Sequence, residues 1–281
     1  MTITMTAGLV RSSDGTEIGY DTFGDGDGLI VLGGSWRSAQ DYRRFARALA
    51  ADYTVHVIDR RGRGQSGPQG PSYGIEQEVA DVLAVQARTH AKIIFGHSYG
   101  GLVALEAARQ STVFSDVVAY EPGVSVDGSL PLRWVAEYRE RLTAGDRRGA
   151  FAAMVRGAGG APAALERMPL WYVKLMLRLF IKEQQWRDKD RLLETGLAEH
   201  EQVAVLADKP VDRYGTITAH VVLLGGRRSR PHLTTTPFGP LSAVIPDCVS
   251  EVIDGLDHLA PDEKAPEVVA ERVRHQLAYA S

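Results

Sequence analysis

Short apolar runs alternate with amphipathic stretches along most of the chain. The runs are continuous and rich in Val and Ile, which is typical of buried strands. The segments 42–51 and 75–89 between them are amphipathic and are expected to be helices. This alternation predicts a mostly parallel sheet with helices on both faces, an α/β fold. The apolar runs occupy 29–32, 54–58, 93–95, 116–120, 219–224 and 250–253.

Two regions depart from this alternation. Residues 8–32 contain Gly-rich turns between short runs, which indicates hairpin strands that lead into the sheet. The stretch from about 130 to 212 has no strand run and is expected to be helical. We therefore predict a helical cap inserted into a core domain, with the core at 1–123 and 216–281 and the cap at 124–215.

Composition limits the classes of function. The 281 residues are 44% hydrophobic and 24% charged, which fits one large globular domain with an insertion. The net charge is −3 and no Lys or Arg tract stands out, so we expect no nucleic-acid or membrane partner and a small, apolar molecule as substrate. The single cysteine, Cys248, excludes an internal disulfide, and the N-terminus lacks a signal-peptide pattern, which favours a cytoplasmic protein. The sequence does not indicate an oligomeric state.

The segment Gly96-His97-Ser98-Tyr99-Gly100 carries the strongest chemical signal. It follows the apolar run 93–95 and precedes a helical run at 102–108. A serine on such a sharp strand-to-helix turn is held in a strained conformation with its hydroxyl exposed, and the turn tolerates only small neighbours. Ser98 is therefore our candidate nucleophile.

Four segments together resemble the α/β-hydrolase family, and the likeness covers nearly the whole chain. The resemblance implies the α/β-hydrolase fold and a nucleophile, an acid and a histidine on successive strand ends. The loop at 59–66 is mainly structural in that family, so Asp59 and Arg61 are expected to be scaffold. The segments are 32–36 (LGGSW), 59–66 (DRRGRGQS), 96–101 (GHSYGG) and 255–258 (GLDH).

Ser98 needs a base to take its proton, and histidine is the natural choice. Of the eight histidines, His258 follows a strand and Gly255, where the resembled family keeps its base. His97 adjoins Ser98 on the turn and is expected to point away and pack. No histidine pair has ligand spacing backed by a carboxylate, so neither a metal nor another cofactor is expected.

The acid that orients His258 is predicted at an uncommon place. The strand at 219–224 leads into a turn with three arginines, Arg227, Arg228 and Arg230, and no carboxylate. Some branches of the resembled family carry the acid one strand earlier, where Glu121 stands. We therefore predict Glu121 as the acid, with Asp254, Asp257 or no carboxylate as alternatives. The arginines are expected to form a solvated turn, with a substrate carboxylate as the alternative partner.

The resemblance also implies an oxyanion hole made by two backbone amides, those of Ser35 and Tyr99. The loop here begins Gly33-Gly34 where the family usually has His-Gly, so the usual histidine support is missing. Four aromatic residues are predicted to contact substrate, although they can also be plain cap core: Trp36, Trp134, Trp171 and Tyr172.

These parts favour a cofactor-independent serine hydrolase, an esterase or lactonase that works through an acyl-enzyme. Two alternatives stay open. The same constellation can serve carbon–carbon bond hydrolysis, elimination or cyclisation with His258 as base, and the fold also supports non-catalytic small-molecule receptors.

Overall fold

In the computed structural model, which describes residues 4–158 and 163–279, eight strands form a single sheet. The strand order is β1-β2-β4-β3-β5-β6-β7-β8. β2 pairs antiparallel with both β1 and β4, and all other neighbouring strands pair parallel. The mostly parallel α/β fold expected from the sequence is confirmed. The strands are β1 (Met5–Arg11), β2 (Glu17–Phe23), β3 (Asp27–Leu32), β4 (Tyr53–Ile58), β5 (Ile93–His97), β6 (Asp116–Tyr120), β7 (His220–Gly226) and β8 (Cys248–Ile253).

Helices cover both faces of the sheet, because successive strand residues point to opposite sides. On β5, Ile94 packs in the cluster that includes residues of α2, α3 and α10, whereas Phe95 packs in the opposite cluster with α1 and α11. Both faces are therefore buried, which explains the continuous apolar runs. The core helices are α1 (Arg43–Leu49), α2 (Ile75–Thr89), α3 (Tyr99–Gln110), α10 (Thr235–Val244) and α11 (Pro266–Tyr279).

Six α-helices of the described residues lie between β6 and β7, the part of the chain in which the cap is expected. Their own apolar cluster includes Trp134, Tyr138, Phe151 and Trp186. The short 3-10 helix Val211–Thr216 packs on α10 and so joins the core, although the predicted boundary cuts through it. The six helices are α4 (Trp134–Thr143), α5 (Arg147–Gly157), α6 (Ala163–Glu166), α7 (Leu170–Phe180), α8 (Glu183–Asp190) and α9 (Leu193–Ala207).

The carboxyl ends of the parallel strands form one edge, where such sheets bind ligands. The chain emerges there as the loop 33–37 after β3, Ser98 after β5, Glu121 after β6 and His258 beyond β8. The fold therefore brings together segments that lie far apart in sequence.

Candidate active site

Ser98 occupies a strained turn between β5 and α3. Its φ and ψ are 55° and −119°, a backbone conformation that residues other than glycine seldom adopt. The turn is tight: a Cβ on Gly96 would lie 2.3 Å from the carbonyl oxygen of Gly100, and one on Gly100 would lie 2.4 Å from that of Leu32. Only glycine fits at both positions, so the sequence forces Ser98 onto the edge of the sheet.

Glu121 and His258 form a direct contact. His258 Nδ1 lies 2.7 Å from Glu121 Oε2, and the other carboxylate oxygen accepts the Gly226 N–H at 2.7 Å. Glu121 is fully buried. An Nδ1–H donated to the carboxylate leaves His258 Nε2 with a free lone pair, which is the form a general base needs.

Ser98 and His258 line the same cavity. No hydrogen bond joins the Ser98 hydroxyl to His258 within the part of the chain that the structure describes. Such bonds are often long in unliganded sites and tighten when substrate binds. Asp254 and Asp257 are engaged elsewhere, with Arg227 and Lys264 respectively, so Glu121 is the carboxylate that contacts the imidazole.

The loop after β3 lies directly against Ser98. A Cβ on Gly34 would lie 3.2 Å from Ser98 Cβ, so the next residue, Ser35, is close to the serine. The Ser35 N–H donates no hydrogen bond to the described residues, and Tyr99 opens α3, where a helix leaves its N–H groups without helical partners. Both amides predicted for the oxyanion hole are therefore near Ser98 and available.

Tyr42 supports this loop where a histidine is missing. Its hydroxyl accepts the Gly34 N–H at 2.9 Å and lies 2.6 Å from His97 Nδ1. Because the hydroxyl proton is then free to donate to His97, the two side chains lock together behind the loop. Burial, and next the nearby His258, lower the pKa of His97 well below its usual value. His97 is therefore a neutral, packed side chain.

Arg60 holds the same loop from the other side. Sequence reasoning missed this role of Arg60. Its guanidinium donates to the carbonyl oxygens of Gly33 and Gly34 at 3.0 and 3.1 Å. It also pairs with Glu78 on α2 and Glu199 on α9. The arginine-rich sequence of the loop at 59–66 could have indicated this role, because arginines that follow an apolar strand need partners when they are buried.

A cavity of about 440 Å³ separates the strand ends from the helices between β6 and β7. Trp36 and Trp134, two of the residues predicted to contact substrate, line it. Trp36 also stacks on His200 at 4.7 Å between ring centroids and so packs against α9. The part of the lining that lies between β6 and β7 in sequence is mostly apolar: Leu130, Pro131, Leu132, Phe151, Met154, Val155, Ala158, Leu165 and Val203.

Trp171 and Tyr172 do not line the cavity, which corrects their assignment to substrate. Both lie on α7, which packs on α5, and α5 supplies the cavity wall through Phe151, Met154 and Val155. Trp171 is 67% exposed and contacts the ring of Tyr172. The sequence shows α7 as an apolar helix but not which of its sides faces inward.

The arginine turn after β7 also lies outside the cavity lining. Arg227 pairs with Asp254, and Arg230 pairs with Glu166 on α6. Within the described ranges, no group of three His, Cys, Asp or Glu side chains is arranged to hold a metal ion. None of the helices in these ranges is long and apolar enough to cross a bilayer.

Comparison with known proteins agrees with this geometry. The family model described as "Alpha/beta hydrolase family" matches residues 29–272, most of the chain. The chain belongs to the alpha/beta hydrolase family. A solved alpha/beta hydrolase from Sphaerobacter thermophilus is 25% identical and superposes with a TM-score of 0.80, covering 95% of this chain and 99% of that one.

Curated relatives match this alpha/beta hydrolase over shorter stretches. A non-heme chloroperoxidase from Streptomyces lividans is 34% identical over 152 residues, 49% of this chain and 55% of the relative. A pimeloyl-[acyl-carrier protein] methyl ester esterase from Aliivibrio salmonicida is 32% identical over 93 residues, 33% of this chain and 34% of the relative. The matches thus span about half or less of these relatives. Because the relatives are named for different reactions, the matches support the superfamily but do not identify the reaction of this chain.

Proposed function

We propose that this alpha/beta hydrolase cleaves a carboxylic ester with an apolar acyl or alcohol group, using Ser98, His258 and Glu121. The contact between His258 Nδ1 and Glu121 Oε2 carries the proposal. A buried carboxylate on one ring nitrogen fixes the tautomer whose other nitrogen accepts a proton, and the serine on the strained turn shares the cavity. The resemblance to an enzyme named as a methyl ester esterase supports an ester as substrate.

The reaction proceeds in two halves. Ser98 Oγ attacks the ester carbonyl carbon while His258 Nε2 takes the hydroxyl proton, and the amides of Ser35 and Tyr99 stabilise the oxyanion. The carbon–oxygen bond to the alcohol then breaks, and the leaving oxygen receives the proton from His258, which leaves an acyl group on Ser98. Water, deprotonated by His258, attacks this acyl group and releases the carboxylic acid. No cofactor takes part.

Ser98→Ala tests the proposal. We expect hydrolysis of a p-nitrophenyl ester panel to fall by about 10⁴-fold or more, and covalent labelling by a fluorophosphonate to disappear. Ser242→Ala is the control, because Ser242 lies beside Cys248 and should leave both signals intact. Intact-mass detection of an acyl adduct on the wild type completes the test, and aromatic lactones in the same panel distinguish lactonase from esterase activity.

The outcomes separate the remaining possibilities. A Ser98→Ala protein that keeps most of its activity would overturn the acyl-enzyme and favour a reaction in which His258 acts only as base. Tight binding of the panel compounds with no turnover by the wild type would instead favour a receptor. A cytoplasmic location stays a prediction.

A further inference from the structure

The outer side of α7 and its flanks expose large apolar side chains. Five of them lie within 13 consecutive positions and are between 39 and 73% exposed: Met168, Trp171, Leu175, Leu179 and Phe180. Single exposed apolar residues are common on protein surfaces, but a contiguous group of this size marks an interaction site.

This helix is apolar on two sides. Val173 is fully buried, and Leu177 packs against the apolar cluster of the cap. Trp171, Leu175 and Leu179 repeat with the same four-residue spacing but are displaced by two positions, which places them on the opposite side of the helix. The inner side accounts for the packing of α7 on α5. The outer side therefore requires a different partner.

Positive charge without an acidic partner lies on α7 and its immediate flanks. Residues 167–182 contain four basic residues and no Asp or Glu, in a chain whose net charge is −3. Lys174 pairs with Asp146. Arg167, Arg178 and Lys182 are exposed and form no ion pair with the described residues. An apolar strip with Trp, Phe and Leu, flanked by free cations, is the pattern of a helix that lies in a membrane interface.

We propose that α7 docks this protein on an anionic lipid surface, with Trp171, Leu175, Leu179 and Phe180 among the acyl chains and the three free cations at the headgroups. A second copy of the chain fits less well, because two such faces would bring like charges together. The docked surface would lie one helix away from the cavity, since α5 contacts α7 and lines the cavity. The net charge of the whole chain gave no indication of this role, because acidic residues elsewhere in the chain offset the basic residues of this segment.

Sedimentation with sucrose-loaded vesicles tests the proposal on the full chain. The wild type should sediment with vesicles of phosphatidylglycerol and phosphatidylcholine but much less with phosphatidylcholine alone. The double variant Leu175→Glu/Leu179→Glu should bind the anionic vesicles more weakly by about tenfold or more. Val205→Glu is the matched control, because Val205 is an equally exposed apolar residue on α9, and it should bind as the wild type does.

A second arm tests the charge. Replacing Arg167, Arg178 and Lys182 by Gln should weaken binding roughly fivefold for each charge removed, and added salt should weaken the wild type in the same direction. Circular dichroism and p-nitrophenyl ester turnover without vesicles should be unchanged in every variant. Two results would overturn the proposal: a wild type that stays in the supernatant with both vesicles, or one that forms a dimer which Leu175→Glu/Leu179→Glu dissolves while vesicle binding is unaffected.

Discussion

Glu121 adopts a backbone conformation that few side chains occupy. Its φ is 45°, directly after β6, and its N–H donates to Leu224 of the neighbouring strand at 2.8 Å. Both carboxylate oxygens are engaged, one by the Gly226 N–H and the other by His258. A strained conformation persists only where its surroundings enforce it. The surroundings here direct a fully buried carboxylate at the imidazole.

Glu121→Gln should lower kcat by about 10⁴-fold. A glutamine can keep the bond from Gly226 through its oxygen, but its NH₂ group then faces His258 Nδ1 and favours the wrong tautomer. We expect the free energy of unfolding, measured with urea, to change little by comparison. The loss of kcat would then come from the chemical step and not from unfolding. The measurement is steady-state turnover of the best p-nitrophenyl ester beside a urea titration. Asp254→Asn is the control, since Asp254 is exposed and pairs with Arg227; near-normal turnover by Glu121→Gln would reject the assignment.

Sequence reasoning reached the contact between Glu121 and His258 although 137 positions separate them. The elbow motif is local. No carboxylate follows β7, and the resemblance to family branches that carry the acid one strand earlier then pointed to the end of β6. The assignment of Trp171 and Tyr172 to substrate was wrong because apolar character alone does not distinguish a cavity from a surface. The support of the Gly33-Gly34 loop by Tyr42 and His97 was not predicted either. The Tyr42 hydroxyl meets the Gly34 N–H and His97 only after the chain has folded, and the sequence does not show that these groups are close.

At the scale of elements, one ion cluster joins α9 to the core. Arg60 and Arg63 follow β4, Glu78 lies on α2 and Glu199 on α9, and all four are almost fully buried. Glu199 contacts both arginines. Burial alone would raise the pKa of Glu199, but the charges of Arg60 and Arg63 outweigh burial and hold that pKa below its usual range. The carboxylate is therefore charged and bound.

Glu199→Gln should destabilise the protein by about 3–5 kcal/mol, because it leaves two arginines with one buried carboxylate. Glu201→Gln on the same helix is the matched control. Glu201 pairs with Arg139 at the surface, and such pairs contribute about 1 kcal/mol or less. Urea unfolding at pH 7.5 gives both free energies. Equal, small losses in the two variants would show that the buried cluster does not hold α9 to the core.

The sequence did not predict any of the four residues of this cluster individually, although Arg60 and Arg63 lie in the loop that was expected to be structural. The loop at 59–66 was expected to be scaffold, and Asp59 indeed accepts the N–H groups of Ala39 and Gln65, while Arg61 pairs with Asp81. The partner of Arg63 lies 136 positions away on α9. Helix periodicity places Glu199 on a face but does not show which buried cation that face meets, so long-range ion pairs of this kind require the folded structure.

At the scale of the whole molecule, titration links the fold to pH. Burial lowers the pKa of four histidines, His56, His97, His200 and His232, which lie on strands, on α9 and in the loop after β7. Below pH 6.5 the unfolded chain binds more protons at these sites than the folded one. Their contribution to stability is therefore present above pH 6.5 and is lost as the pH falls.

Two carboxyls act in the opposite direction. Burial raises the pKa of Glu78 and of Asp262, so the folded state takes up these protons first and gains stability as the pH falls through that range. The pH dependence of the wild type adds these two effects to that of the carboxyls whose pKa the fold lowers, among them Glu199. A single variant that removes one titrating group isolates one contribution.

His56→Gln is that variant. Burial lowers the pKa of His56 to about 4 from 6.5, its Nδ1 bonds to Thr22 Oγ1 at 3.0 Å, and it does not line the cavity. Between pH 7.5 and pH 5, His56 should account for a loss of about 2 kcal/mol, at up to about 1.4 kcal/mol per pH unit. Urea unfolding at both pH values should therefore show a smaller loss in His56→Gln than in the wild type, by about that amount. An identical pH dependence in both proteins would mean that His56 takes up its proton as readily in the folded chain as in the unfolded one.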